Sequence, residues 1–496
     1  MTLTDAPARP RPRDAGHASP MSLWRLLWLE LRRNPMPWTF PLLAALFVFD
    51  PFRSAMGYGP FWDLRASVLE NKLLPDFVAF VAGVAAWMGS RDSRRHTRDL
   101  VDATARPRWT AQLTTWAAST LWVAAGFLCC VAVLYGVTAS QATWGGPPWW
   151  PVAVCLAELA LISALGFAAG TFFPSRFTAP LAAVGAFLLS LEGFRNAVGR
   201  SNVYALLSPT TSVPDDDTGL FHHYLPDVSI AQLMFLIGLT MVVLAALGLP
   251  RAADAGPRLR RAAAVIAVAG LAAAGTAVGL TGTARTEAYG TVIPALHDAA
   301  NDRPIPYTPV CGQAAGVPVC VHPAYRNFLP AMTAALAPVL REIASLPGAP
   351  ARVDQVVVND LIASNGAAIT GVSPVFRLPV PSTPDETSFG QNASTFTSYL
   401  QATLVTVFVL GAHGFVAYGP PAGTPAQQAL QLALLQKAGT AIQTGSGPGN
   451  GQHAKGEQVA AAARRFAALP AATRHAWLAA HLAALRAGRI TLAQLP

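Results

Sequence analysis

Long runs of apolar residues alternate with short polar segments over the first 282 residues of the chain. Seven runs approach the roughly 20 apolar residues that a helix needs to cross the hydrocarbon of a bilayer. They are approximately Pro37–Phe52, Leu74–Gly89, Thr110–Ala139, Trp150–Phe173, Thr178–Phe194, Ser229–Leu249 and Ala262–Gly282. The first, second and fifth are short and need flanking turns to complete a crossing. The pattern therefore predicts a polytopic α-helical membrane protein with six spans plus a seventh.

A shorter amphipathic segment precedes the first span. Within Ser22–Arg33 the leucines share one helical side and the arginines can extend towards lipid headgroups. Such a segment predicts a helix at 22–36 that lies in the inner membrane interface. Residues 1–21 carry several Arg and Pro and predict a disordered basic leader.

After residue 282 the apolar runs become shorter and alternate with polar positions. Three pieces resemble strands, namely Val310–Val321, Arg352–Val358 and Ala367–Leu378. Five pieces resemble amphipathic helices, namely Ala324–Ser345, Ser394–Leu410, Pro425–Ile442, Glu457–Ala467 and Ala471–Ala487. We expect a mixed α/β domain over 283–496. The uncharged run Tyr399–Gly419 is either an eighth span or a buried helix followed by a strand.

The composition excludes most soluble classes. Hydrophobic residues make up 52% of the 496 residues and charged residues only 12%, whereas soluble domains carry about 25% charged residues. The charge of +9 comes almost entirely from Arg, since Lys72, Lys437 and Lys455 are the only lysines. The arginines cluster beside apolar segments, which is typical of membrane topology signals and not of nucleic-acid binding. Arg-rich, Lys-poor usage favours a GC-rich bacterium and its plasma membrane.

The distribution of Lys and Arg predicts the orientation. Segments 1–36, 91–109, 174–177 and 250–261 together carry 17 of them, whereas 53–73, 140–149 and 195–228 carry 5. The positive-inside rule therefore puts the N-terminus in the cytoplasm. With seven spans, the domain at 283–496 is then extracytoplasmic.

Two cysteines in the tail predict a disulfide. Cys311 and Cys320 flank a short Gly-containing segment, and an extracytoplasmic compartment is oxidising. A metal pair is less expected, because only His322 is close in sequence and zinc sites usually have four ligands. Cys129, Cys130 and Cys155 fall inside predicted spans.

The sequence lacks the catalytic templates that we searched for. It has no G-x-x-x-x-G-K-[ST] loop, no zincin helix and no G-x-S-x-G turn. We therefore expect no ATPase or hydrolase activity, no catalytic residues and no cofactor or metal in this chain. The loop with Asp215–Asp217, His222 and His223 is either a solvated turn or a weak cation site.

One charged residue lies well inside a predicted span. Glu158 is about two turns into the fourth span, where a carboxylate is costly. Either it is protonated or hydrogen-bonded and fixes helix packing, or it lines a translocation path for a substrate.

The stretch Met88–Trp109 carries a resemblance to a known family. An interface helix, two spans, a basic segment and further paired spans resemble the permease subunits of ABC-2-type transporters, here of a high-GC Gram-positive bacterium. In that family the segment after the second span holds the coupling helix that docks on a separate ATPase subunit. By this resemblance Arg91–Thr104 supplies the helix and Ala105–Trp109 its exit. The implied coupling residues are Arg91, Arg94, Arg95, Arg98, Arg106 and Arg108.

The resemblance implies a function and a set of partners. It implies a six-helix permease-like domain at 37–250, followed at 251–282 by a basic loop and a seventh span, with 283–496 as an addition. The chain would be the multi-pass permease of an exporter, in a homodimer or heterodimer of permease subunits, with ATP and Mg bound by the partner ATPase. The alternative is a permease-derived accessory, immunity or sensor protein, whose external domain binds a ligand or partner without transport.

Overall fold

The computed structural model describes most of the chain and six helices that are long and apolar enough to cross a membrane. The described residues are 20–95, 107–197, 206, 218–248, 257–287, 289–356, 375–380, 396–411, 423–439 and 450–496. Within them the six helical segments are Leu23–Gly57, Trp62–Gly89, Arg108–Gln141, Trp149–Phe172, Asp227–Gly248 and Pro257–Thr281. The expectation of a multi-pass helical membrane protein is therefore confirmed at this level.

The predicted fifth span differs from the other six. A helix covers Thr178–Ala197, but its apolar part, Thr178–Leu191, is shorter than the other candidates. Its crossing stays a prediction. The predicted leader at 1–21 lies almost wholly outside the described residues, since the first described residue is Pro20.

The N-terminal amphipathic segment forms helix α1 (Pro20–Arg33) and leads directly into the first span. The Asn34 side chain ends α1 and accepts a hydrogen bond from the Met36 backbone N–H at 2.9 Å. The span then runs through α2 (Phe40–Phe47), a π turn and α3 (Arg53–Gly57). The π turn contains Pro51, which has no N–H for a regular helical hydrogen bond.

The second span begins twelve residues earlier than the hydropathy pattern predicts. Helix α4 (Trp62–Val68) continues through a π turn (Leu69–Leu73) into α5 (Leu74–Gly89). The wider turn precedes Pro75 and keeps the helix continuous there. As a result Arg65 and Glu70, which were expected in an outer loop, are 3% and 0% exposed inside the bundle.

The remaining helices of the first half follow in chain order. They are α6 (Arg91–Arg94), α7 (Arg108–Gln141), α8 (Trp149–Phe172), α9 (Thr178–Ala197), α10 (Thr218–Phe221), α11 (Asp227–Gly248) and α12 (Pro257–Thr281).

Small residues allow two helix pairs of the bundle to approach closely. A Cβ atom at Gly170 of α8 would lie 1.9 Å from the Ala86 carbonyl oxygen of α5, and one at Gly166 would lie 2.4 Å from that of Ala82. Likewise, a Cβ atom at Gly238 of α11 would lie 2.6 Å from the Gly270 carbonyl oxygen of α12, and one at Gly270 would lie 2.5 Å from that of Gly238. Close packing of this kind stabilises helix pairs in lipid, where the hydrophobic effect does not bring helices together.

The bundle has two ends with different chemistry. At one, Met88, Trp109 and Leu247 share a small core, and the Trp109 indole N–H donates to the Leu244 carbonyl at 2.9 Å. We call this the basic end, because α6 and the start of α12 lie there with their arginines. The other, where α3 meets α4 and α7 meets α8, is the tail end. Helix α8 finishes at the basic end, and α11 starts at the tail end.

The second half of the chain forms an α/β domain. Its strands are β1 (Arg285–Glu287), β2 (Gly290–Val292), β3 (Val310–Ala314), β4 (Val317–Val321), β5 (Arg352–Val356) and β6 (Val375–Pro379). Its helices are α13 (Leu329–Ile343), α14 (Phe396–Leu410), α15 (Pro425–Lys437), α16 (Asn450–Ala468) and α17 (Ala471–Arg486). The four-stranded sheet has the order β3-β4-β5-β6, and α13 connects the parallel strands β4 and β5.

The predicted strand Val310–Val321 is a two-stranded hairpin. Its strands turn at Ala315 and Gly316, both with positive φ, so that Cys311 faces Cys320 in the antiparallel register. The two cysteines form the expected disulfide. The other strands and helices lie near their predicted positions, with residues 367–374 of the third predicted strand outside the described part.

The uncharged run near residue 400 belongs to the core of this domain. Helix α14 has 15 residues, and Leu400, Leu404 and Phe408 are fully buried among the domain's other helices. This is the buried-helix alternative, and the predicted strand that follows lies outside the described residues. An ion pair between Arg474 of α17 and Glu342 of α13 joins two of the helices that form this core.

Candidate functional site

An ion pair joins the interface helix to the segment that follows the second span. The Arg91 guanidinium donates to both carboxylate oxygens of Glu30 on α1, at 3.2 and 3.3 Å. Both side chains are largely shielded from solvent. This bidentate geometry is the strongest form of an arginine-carboxylate pair. The pair therefore joins α6 to α1.

Helix α1 is also attached to the third span. The Trp122 indole N–H donates to the Leu31 carbonyl at 3.0 Å, and the Asn34 amide donates to the Ser119 hydroxyl at 3.1 Å. Trp24 and Trp28 remain exposed on α1, as expected of a helix in a membrane interface. The interface helix is thus part of the bundle's basic end.

The other predicted coupling arginines have different surroundings. Arg94 donates to the Trp87 carbonyl at 2.6 Å and stacks on the Trp87 ring, whereas Arg95 is exposed. Arg108 is half-buried at the start of α7. Arg98 and Arg106 lie outside the described residues. Arg94 and Arg95 are both exposed, and of these two only Arg94 is bound to a neighbouring residue by a hydrogen bond that orients its guanidinium.

Glu158 is buried in the middle of the bundle. It is 4% exposed, and its Oε2 has no hydrogen-bond partner among the described residues. Cys155, one turn earlier on α8, lies within electrostatic reach of both Glu158 and Glu70. A carboxylate with an unpaired oxygen inside a membrane bundle is expensive.

The sequence did not predict that two charged residues of the second span are buried. Arg65 and Glu70 are buried on the early part of the second span, and Arg65 donates to the Thr138 hydroxyl of α7 at 3.4 Å. The hydropathy pattern placed both residues in the loop between the first and second predicted spans. The signal was the absence of Gly and Pro between Trp62 and Leu74, which favours one continuous helix.

At the tail end, aromatic rings enclose a buried histidine. The His322 ring lies 4.8 Å from Trp144, 5.0 Å from Phe221 and 4.4 Å from Tyr307, measured between ring centres. Its Nδ1 accepts from the Ala324 backbone N–H, and its Nε2 is buried without a partner among the described residues. Burial lowers the pKa of His322 to about 4. The imidazole is therefore neutral where the domain contacts the bundle.

A second polar contact fixes the domain to the bundle. Asp227, the first residue of α11, accepts from the Ile293 backbone N–H at 2.9 Å and faces His297 Nδ1 at 3.2 Å. His297 Nε2 faces Asp302 at 2.8 Å. Burial by itself lowers the pKa of His297, but the hydrogen bond to Asp302 and the charge of Asp227 outweigh it and raise the pKa. The His297 ring thus links Asp227 of the bundle to Asp302 of the domain.

Within the described residues, no group of three His, Cys, Asp or Glu side chains is arranged to hold a metal ion. His222 forms a β-bridge with Pro304, and its ring stacks on Tyr289. Asp215–Asp217, the other part of the candidate cation loop, lie outside the described part of the chain.

Comparison with protein-family models, curated proteins and solved structures gives no match.

The buried His322 predicts an acid-sensitive domain contact. Its pKa is lowered from 6.5 to about 4, so the unfolded chain takes up a proton in this range before the folded chain does. The free energy of unfolding is therefore highest above pH 6.5 and falls as the pH drops towards 4, by at most about 1.4 kcal/mol per pH unit. His322→Asn keeps an acceptor for the Ala324 N–H and should flatten this fall, measured by thermal unfolding of the purified protein.

The matched control for that experiment is His223→Asn, at an exposed histidine of the neighbouring segment. It should leave the pH profile unchanged. Parallel profiles for the wild type and His322→Asn between pH 6.5 and 4 would show that His322 titrates normally.

Proposed function

We propose that this chain is the membrane-spanning permease subunit of an ATP-driven ABC-2-type transporter, an exporter powered by a separately encoded ATPase. The observation that carries the proposal is the pair between Glu30 and Arg91. It links the interface helix and the end of the second span at the basic end of the bundle. An ATPase that pushes on this point moves two membrane elements together, which is what a mechanical coupling site requires.

The proposed orientation puts the basic end in the cytoplasm and the α/β domain outside the bacterial plasma membrane. Two features support it. The domain packs on the end of the bundle opposite the arginines of α6 and α12, and the Cys311–Cys320 disulfide is suited to an oxidising compartment. ATP and Mg would be bound by the partner ATPase.

The lipid-facing surface leaves room for a second permease subunit. Leu181 and Leu188 of α9 and Val265 and Val268 of α12 are more than half exposed. Apolar side chains at this exposure need lipid or another apolar helix against them. We propose a homodimer or heterodimer of permease subunits with lipid around it.

The second candidate function is a permease-derived accessory, immunity or sensor protein. The enclosed contact between the domain and the tail end favours it, because the domain is held on the bundle by buried aromatic rings and not by a linker alone. Ligand binding to the domain would then be passed to the spans. This protein would need no ATPase.

In the transporter, Glu158 lines the translocation path. Glu158→Cys, in a background with Cys129, Cys130 and Cys155 replaced by Ala, should then react with a small water-soluble methanethiosulfonate reagent. Leu159→Cys is the matched control, since Leu159 is adjacent on α8, is 1% exposed and packs in an apolar core. Equal and negligible labelling of both cysteines would assign Glu158 to helix packing.

The coupling proposal predicts that Arg95 contacts the ATPase. Arg95→Glu, combined with Arg98→Glu, should weaken co-purification of an ATPase subunit, because each close charge pair contributes about 2 kcal/mol, or roughly thirtyfold in affinity. Arg94 is left unchanged since it binds Trp87. The measurement is ATPase yield and ATP hydrolysis in the purified complex.

The control carries Arg260→Glu and Arg261→Glu, two exposed arginines at the start of α12. It has the same change in charge at the same end of the bundle and should retain the ATPase. If both double variants insert normally and keep a full complement of ATPase, the arginines of α6 act only as topology signals.

A further inference from the structure

A cavity of about 580 Å³ opens where the loop between α7 and α8 meets the α/β domain. This volume falls within the range of small-molecule sites. Residues from three segments form its wall: Thr143, Trp144, Pro306, Tyr307, Thr308, Pro323 and Arg326.

The wall combines three kinds of recognition group. Trp144 and Tyr307 offer ring faces, Thr143 and Thr308 offer hydroxyls, and Arg326 offers a guanidinium. Arg326 is exposed and has no acidic partner among the described residues. Guanidinium groups bind phosphate through paired hydrogen bonds, and hydroxyls and rings suit a small polyol.

The surrounding charge favours an anion. Arg352 and Arg377 act on the Tyr307 hydroxyl from strands β5 and β6, and the opposing acidic residue is Asp354. Asp354 is already paired with Arg352. Among the residues that the structure describes around the cavity, Arg326, Arg352 and Arg377 thus outnumber Asp354.

The two aromatic walls are held in place before any ligand binds. Both Trp144 and Tyr307 contact the buried His322 ring, and the Thr143 hydroxyl donates to the Pro323 carbonyl at 3.4 Å. A site whose walls are already ordered loses less conformational entropy when it binds.

The cavity also lies close to the membrane surface. The loop that carries Thr143 and Trp144 directly joins two spans, α7 and α8. The latter begins with Trp149 and Trp150, which are exposed at 62% and 39%. Exposed Trp at the end of a span is typical of the lipid headgroup level. A phosphate attached to a membrane lipid is thus within reach.

We propose that this cavity binds a glycerophosphate anion, carried either by the headgroup of an anionic lipid such as phosphatidylglycerol or by a free glycerol phosphate. Arg326 holds the phosphate, and the ring faces with Thr143 and Thr308 hold the glycerol. Binding requires neither transport nor an ATPase, so it stands or falls independently of the function proposed above.

The test uses the full-length protein in detergent. Native mass spectrometry with dioleoyl phosphatidylglycerol, with dioleoyl phosphatidylcholine and with sn-glycerol 3-phosphate measures how much of each is retained. We expect phosphatidylglycerol to be retained at least tenfold better than phosphatidylcholine. Retention of glycerol phosphate at similar concentrations would identify the free anion as a sufficient ligand, and retention of the lipid alone would identify the headgroup source.

Arg326→Glu should lower retention of the phosphate ligand about tenfold or more, whereas Arg326→Lys, which keeps the charge but loses the paired hydrogen bonds, should lower it less. Arg341→Glu is the matched control, at an exposed arginine of α13 outside the cavity. Gel filtration and thermal unfolding establish that the variants are folded. Equal retention by the wild type and Arg326→Glu, or equal retention of the two lipids without any glycerol phosphate, would overturn the proposal.

Discussion

The bilayer imposes the constraint on which the rest of this structure depends. Hydrocarbon offers no hydrogen-bond partner, so the backbone must satisfy its own N–H and C=O groups as helices. Even the breaks near Pro51 and Pro75 are absorbed by π turns inside helical segments. In the described part of the chain, the irregular backbone that connects the spans lies at the two ends of the bundle, and many of the polar contacts that join different parts of the chain lie there too.

The two ends use different forces to fix their attachments. At the basic end, a paired arginine and carboxylate connects α1 to α6, and hydrogen bonds connect α1 to α7. At the tail end, aromatic rings from the bundle and the domain share one apolar core around His322. The apolar contact makes the domain part of the bundle, because separating them exposes buried rings.

Local patterns predicted the six long apolar helices and most tail elements, but not the contacts between them. Hydropathy identified the apolar cores of the helices, and the spacing of Cys311 and Cys320 predicted their disulfide. The hydropathy pattern missed the early start of the second span, because Arg65 and Glu70 are charged and their burial depends on the packing of this span against α7 and α8. The approach of Trp144 to His322 joins residues 178 positions apart, and no local pattern contains it. Arg94 and Arg95 were predicted as part of one basic segment, whereas the contact of Arg94 with Trp87 depends on where the end of the second span lies.

The sidedness of the molecule is the central claim, and accessibility of single cysteines in the full-length protein measures it most directly. Arg341→Cys reports on the α/β domain and Arg260→Cys on the basic end; both positions are exposed. With Cys129 replaced by Ala, a membrane-impermeant maleimide should label Arg341→Cys in intact cells and Arg260→Cys only after the membrane is permeabilised. The opposite pattern, with Arg341→Cys protected until permeabilisation, would contradict the orientation and with it the assignment of the arginines to a cytoplasmic ATPase.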